Sequence, residues 1–231
     1  GLGKVTALMF AKEGAIVVIN YLSSNEKVKE LIKEIEAIGG EAIMFRADVS
    51  TEKEVEEMIK YVIKRFKKID VLVNNAGIIY DMPLKSRKIE FWDRTMNVNL
   101  KGTFICSRQV SKYMLKERSG SIINIASVNP IYKCNPQVVD YDVSKAGVIA
   151  LTHNLSMELA PNIRVNAVAP GWIDTEMNQN LPNEYREEET ERIFLKRFAK
   201  PEEIANVILF IASEEASFMN NSVIKVDGGY R

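Results

Sequence analysis

Six runs of strand length, AIVVINY (15–21), EAIMFRA (41–47), IDVLVNN (69–75), GSIINIAS (120–127), IRVNAVAP (163–170) and SVIKVD (222–227), are rich in valine and isoleucine and apolar without alternation. A strand with one wet face alternates apolar and polar residues, whereas a continuous apolar run needs cover on both faces. The intervening segments 3–13, 24–38, 51–66, 89–116, 141–160 and 201–213 carry helical periodicity. Strand alternating with helix leads to a parallel sheet with right-handed crossovers, a doubly wound α/β fold of Rossmann type with helices on both faces. A chain of 231 residues is expected to form a single domain over 1–231. The segment 172–200 stands apart: rich in charge and amide, it is expected to be a substrate lid at the C-terminal edge of the sheet.

Two helix starts are legible. Thr51 followed by Glu54 reads as a hydroxyl cap with its reciprocal acid, and Pro201 with Glu202 and Glu203 suits a first turn.

Charge and cysteine content narrow the function. The 31 basic and 31 acidic residues cancel and no basic tract stands clear of acids, so nucleic acid is not an expected partner. No apolar run approaches the roughly 20 residues that cross a bilayer. Cys106 and Cys134 make neither a disulfide framework nor a metal-ligand pattern, so no metal is expected and the setting reads as reduced and cytoplasmic.

The opening residues GLGK lack an initiator Met and lead straight into a helix. Gly1, Leu2 and Gly3 look like the second half of a phosphate-binding turn, where bare backbone and a helix N-terminus meet a pyrophosphate. The strand that leads into such a turn lies mid-sheet, and it is expected to precede Gly1. The end of the next strand selects the dinucleotide, because an acid there binds the ribose of NAD and repels the phosphate of NADP. Here the chain reads Asn20-Tyr21-Leu22-Ser23-Ser24. Asn20 cannot repel a phosphate, and Ser23 can donate to one, so NADP(H) is favoured over NAD(H).

The stretch YDVSK places Tyr141 and Lys145 one helical turn apart on a shared face. On its own that spacing is common. Around it, further patterns fall in a fixed order: GLG at 1–3, Asp48-Val49, NNAG at 74–77, NVNLKG at 97–102, Ser127 at a strand end, PGWIDT at 170–175 and VDGG at 226–229. Taken together they resemble the classical short-chain dehydrogenase/reductase family over essentially the whole chain. The likeness is strongest to 3-oxoacyl-[acyl-carrier-protein] reductases and next to glucose 1-dehydrogenase-like members.

The resemblance implies roles. Tyr141 matches the proton donor, and Lys145 matches the residue that binds the nicotinamide ribose and lowers the phenol's pKa by its charge. Ser127 matches the donor to the substrate carbonyl. Asn99 matches the helix residue that holds a relay water. Asp48 and Val49 would meet adenine, and Asn75, Ala76 and Gly77 would line the nucleotide. Pro170 and Gly171 would turn beneath the nicotinamide, with Ile173 and Thr175 near its carboxamide.

Other residues carry plainer expectations. His153 reads as a surface or interface residue, Cys134 as a small filler rather than a nucleophile, and Asn220-Asn221 as a left-handed turn. The loop 129–139 holds Pro130, Tyr132, Lys133 and Pro136 in place of the small residues usual in the family, and the spacing from Ser127 to Tyr141 is one residue longer. The expected activity is NAD(P)(H)-dependent interconversion of a ketone, such as a 3-oxoacyl thioester, and a secondary alcohol. A sugar or polyol dehydrogenase is the alternative within enzymes, and a non-catalytic NADP(H) sensor is the alternative outside them. Lys133, Arg186, Arg192, Lys196 and Arg197 are candidates to meet an acyl carrier, opposed by Glu187, Glu188, Glu189 and Glu191. The family likeness further implies a homotetramer built on the helices at 89–116 and 141–160.

Overall fold

The computed structural model describes residues 1–132 and 134–230, with the backbone alone at position 177. Six strands, β1 Ile16–Tyr21, β2 Glu41–Arg46, β3 Val71–Asn74, β4 Gly120–Ile125, β5 Ile163–Pro170 and β6 Val223–Val226, fall within two residues of the six apolar runs. All are parallel. They form two sheets, β1-β2 and β3-β4-β5-β6, so β1 and β3 each lack a ladder partner on one side.

The helices are α1 Leu2–Lys12, α2 Asn25–Ala37, α3 Glu52–Phe66, α4 Ile89–Thr95, α5 Gly102–Glu117, α6 Asn129–Tyr132, α7 Val139–Leu159, α8 Asn183–Arg192 and α9 Pro201–Ala212. Alternate residues of the central strands enter different cores, which is why apolar residues occupy both faces of these strands. Ile122 of β4 and Val165 of β5 pack with Val55 of α3, Val110 of α5 and Leu155 of α7. Ile123 and Ile125 of β4 and Val168 of β5 pack with Ile204, Ile208 and Ile211 of α9, against Leu2 and Phe10 of α1.

Buried polar side chains link the strands to the helices inside this frame. Asn74 on β3 donates to Asn124 on β4 at 2.8 Å and to Ser107 at 3.0 Å. Asn124 donates in turn to Thr152 of α7 at 2.9 Å. A buried amide left alone would cost about 1–3 kcal/mol, so this chain of bonds fixes how α5 and α7 sit on β3 and β4.

Three local expectations change. The helix expected over 89–116 is two helices joined by a wider turn with i→i+5 bonding at Met96–Lys101. Such a turn re-aims side chains and is often found at functional sites. Thr51 makes no side-chain cap; Glu54 instead accepts the Asp48 amide at 2.9 Å, because the turn at 48–51 brings that donor closer. Cys134 is exposed and therefore fills nothing. The start at Pro201 is as expected, with Glu203 accepting the Lys200 amide at 2.8 Å. Asn221 adopts φ +61°, the left-handed turn read from the asparagine pair.

Candidate active site

A cleft of about 460 Å³ opens where the C-terminal ends of β3, β4 and β5 meet the N-terminus of α1. It gathers Gly1, Leu2, Gly3, Asn75, Ala76, Gly77, Ser127, Tyr141, Lys145, Pro170, Gly171, Ile173 and Thr175, residues from five separated segments.

At the α1 end the cleft suits an anion. The helix has no side-chain cap and no acid in its first turn, so its amide dipoles face the cleft unneutralised. A Cβ on Gly3 would lie 2.8 Å from the Asn75 side-chain amide nitrogen, so any larger residue there would push the Asn75 side chain aside. A pyrophosphate fits here on geometry and charge.

At the other end, Ser127 follows β4 and lies beside the Tyr141 phenol, close enough to lower its pKa, and the phenol projects from the first turn of α7. Lys145 is buried, donates to the Ile125 carbonyl at 2.6 Å, and holds its ammonium 5.6 Å from the centre of the Tyr141 ring. Burial dominates both titrations. It pushes the Tyr141 phenol up to about 12 against the pull of Ser127. It pushes the Lys145 ammonium down to about 8. Burial, the largest influence on the phenol, acts against the lowering expected from the Lys145 charge.

Asn99 does not line the cleft but stands directly behind it. Its amide clasps the Ile78 backbone in both directions, accepting the amide at 2.8 Å and donating to the carbonyl at 2.9 Å, and it also donates to Ser144. The wide turn at Met96–Lys101 aims it there. A Cβ on Gly77 would lie 3.5 Å from Lys145 Nζ and 3.6 Å from Asn99 Oδ1, so Gly77 separates those two polar groups without filling the gap.

Four expected cofactor contacts lie outside the cleft lining, at Asn20, Ser23, Asp48 and Val49. Asn20 donates to the carbonyls of Phe45 and Ala47, tying the end of β1 to β2. Asp48 accepts from Ser50 and Arg94; burial raises its pKa, but those bonds win and hold the carboxyl below its usual value. Val49 is buried against Gly102. In the other direction, the sequence reading named no individual role for Lys4, Ile79, Val128 and Tyr230, which line the cleft, and placed Asn129, Trp172, Glu176 and Asn178 only within the loop 129–139 or the lid 172–200. Trp172 sat in plain view inside PGWIDT. No sequence signal marks Tyr230, which reaches the cleft from the far end of the chain.

A family model described as enoyl-(acyl carrier protein) reductase matches residues 1–231. The chain is 48% identical over 230 residues to a 3-oxoacyl-[acyl-carrier-protein] reductase of Thermotoga maritima, covering 99% of this chain and 93% of that one. It belongs to the short-chain dehydrogenase/reductase family.

It is therefore an NAD(P)-dependent oxidoreductase. A reductase of the same description from Synechocystis is 44% identical over 231 residues, covering 99% of this chain and 92% of that one. A crystal structure from Agrobacterium tumefaciens, assigned as a gluconate dehydrogenase, superposes with a TM-score of 0.94 at 31% identity, over 99% of this chain and 90% of that one. Among the described residues no helix is long and apolar enough to cross a membrane.

Proposed function

We propose that the protein reduces a 3-oxoacyl thioester, or a related ketone, to a secondary alcohol with NADP(H). The observation that carries this reading is the placement of Ser127, Tyr141 and Lys145 at one end of a cleft whose other end fits a pyrophosphate. The bound nicotinamide would supply a hydride to the carbonyl carbon. The side chains handle the oxygen. Ser127 donates a hydrogen bond to it, a contact worth about 10²–10³-fold where charge develops. Tyr141 transfers its phenolic proton to the forming alkoxide, which is much the stronger base. Lys145, an acid near 8 beside a phenol near 12, returns a proton to the phenolate downhill. The gap beside Gly77, between Lys145 and Asn99, is the path for a water in that relay.

The absence of an acid at the end of β1 favours NADP(H): neither Asn20 nor Tyr21 repels a phosphate. Asp48 and Val49 would approach adenine only after Arg94 and Ser50 yield the carboxylate. The segment 172–200 acts as the lid. Its ends are fastened to each other by the Ala199 amide on the Trp172 carbonyl and the Asp174 amide on the Ala199 carbonyl. Two free cysteines suit a reducing, cytoplasmic setting.

The reductase names of relatives 42–48% identical favour the thioester substrate. The neighbour at 31% identity supports a sugar-acid or polyol substrate less strongly. The surface gives little help to an acyl carrier on the lid. Arg186, Arg192, Lys196 and Arg197 each pair with a carboxylate, at Asp174, Glu189, Glu191 and Glu203. Lys133 lies outside the described residues.

The test is NADPH oxidation with acetoacetyl-CoA, beside NADH and a Tyr141→Phe variant. Turnover with NADPH that falls at least about 10³-fold in Tyr141→Phe, with NADPH affinity kept, is expected from loss of the proton donor. Tight NADPH binding without turnover of the thioester would sink the substrate assignment and leave the gluconate-like reading to be tried.

A further inference from the structure

Helix α8 has a single buried residue, and that residue is a carboxylate, Glu189. It is 3% exposed on a helix of sequence NEYREEETER, whose acids otherwise face water. Burying a carboxylate costs several kcal/mol unless donors surround it. Glu189 has them from two distant segments and from its own helix. Its Oε2 accepts the Trp172 indole N–H at 2.8 Å and also the Tyr230 hydroxyl. Its Oε1 accepts Arg192 at 2.6 Å.

Two of these partners, Trp172 and Tyr230, line the reaction cleft. The Trp172 ring is stacked on Phe198 at 5.4 Å with 17° between planes, and Tyr185 meets it edge-on. Stacking fixes the plane of the indole but leaves its in-plane direction open. The bond to Glu189 sets that direction. The backbone brings Tyr230 to the same place: Ile193 bridges to Tyr230, and the amides of Phe194 and Leu195 donate to the carbonyls of Gly229 and Gly228.

We propose that Glu189 is a positioning residue for substrate selection. By drawing the Trp172 indole and the Tyr230 phenol onto one carboxylate oxygen, it sets the aromatic wall of the cleft and anchors the lid helix to that wall by charge rather than by an apolar face. It touches neither the reacting carbonyl nor Ser127, Tyr141 and Lys145. Its loss therefore weakens binding of the substrate beyond its reacting carbon and leaves the chemical step intact. The kinetic part of this proposal rests on the reduction proposed above; the placement of the two rings does not.

The experiment uses Glu189→Gln and Tyr230→Phe, each also made with Trp92→Phe so that Trp172 is the sole tryptophan. Fluorescence reads the indole with no substrate present, and KM, kcat and NADPH affinity are measured alongside. Glu189→Gln is expected to red-shift Trp172 emission and raise KM about tenfold with kcat within about twofold and NADPH affinity unchanged, the pattern of lost uniform binding. Tyr230→Phe removes one bond of the set and should act in the same direction with a smaller KM increase, and it serves if Glu189→Gln fails to fold. Unchanged emission and unchanged KM in folded variants overturn the proposal. So does a fall in kcat and NADPH affinity together, which marks a general structural role. If the parent protein does not turn over the thioester, the reduction reading fails, while unshifted emission alone still refutes the placement of the indole.

Discussion

Replacing Arg87 by methionine should destabilise the protein by about 3–5 kcal/mol, the range for breaking a buried ion pair by removing one partner. Arg87 and Asp140 have side chains 3% and 0% exposed, and their closest N–O approach is 2.6 Å. Asp140 Oδ1 also accepts the Tyr141 amide at 3.0 Å, and Oδ2 accepts Thr95 at 2.9 Å. The second terminal guanidinium nitrogen donates to the carbonyls of Tyr80, Met82 and Gln137, so Arg87 staples the loop after β3 to the start of α7. Methionine keeps most of the length but abandons a buried carboxylate and three carbonyls. Asp140→Asn keeps an acceptor for Arg87 and for the Tyr141 amide, yet leaves the guanidinium charge unmatched, at about 3 kcal/mol. In the double variant both charges are gone and only the carbonyls lose their donor. Its cost should fall short of the sum of the singles by about 2–3 kcal/mol, within the range of coupling between contacting residues. Urea denaturation followed by circular dichroism, compared at constant m, measures all three. A loss below about 1 kcal/mol for Arg87→Met, or simple additivity in the double variant, would refute the argument.

Two further outcomes follow from the structure. Lys145 titrates near 8 when folded and near 10.5 when unfolded, so its stabilising contribution is full above 10.5 and is lost as pH falls through 8. Relative to Lys145→Met, the parent should gain about 3 kcal/mol between pH 8 and 10.5, because each tenfold change in proton affinity is worth roughly 1.4 kcal/mol. A flat difference in urea stability over that window would reject the desolvated lysine. Tyr141 has the opposite sign, raised by burial from 10 to about 12, so its contribution is full below 10 and is lost as pH rises through 12. The helices α4, α5 and α7 leave Ile89, Phe104, Leu115, Val143 and Met157 exposed, apolar surface that suits self-association as a tetramer. Light scattering should return a mass four times that of the 26.1 kDa chain, and a monomer would remove this reading.

Much of the architecture was legible because it depends on local pattern. Runs rich in apolar residues located every observed strand, since a strand covered on both faces carries apolar residues in both registers. The spacing of Tyr141 and Lys145 placed both on one side of a helix, and Pro170-Gly171 marked a strand end that does reach the cleft. The break in the helix over 89–116 was not legible. The run from Ile89 to Glu117 keeps its helical periodicity across the wide turn, and what holds Asn99 there is the Ile78 backbone, 21 residues earlier. Likewise, Glu189 lies in a run of glutamates that looks uniformly solvated; its partners are 17 and 41 residues away in the chain.

The sequence by itself determined the order of elements, the faces they bury and which polar groups were candidates for the site. Periodicity and side-chain chemistry belong to the chain wherever it goes. Only the tertiary structure decided which polar groups lose water and which distant donors replace it. That decision separates Glu189 from its exposed neighbours, turns Asp48 towards Arg94, and moves the pKa values of Tyr141 and Lys145 in opposite directions. Desolvation depends on everything packed around a group, and no segment of sequence carries that information alone.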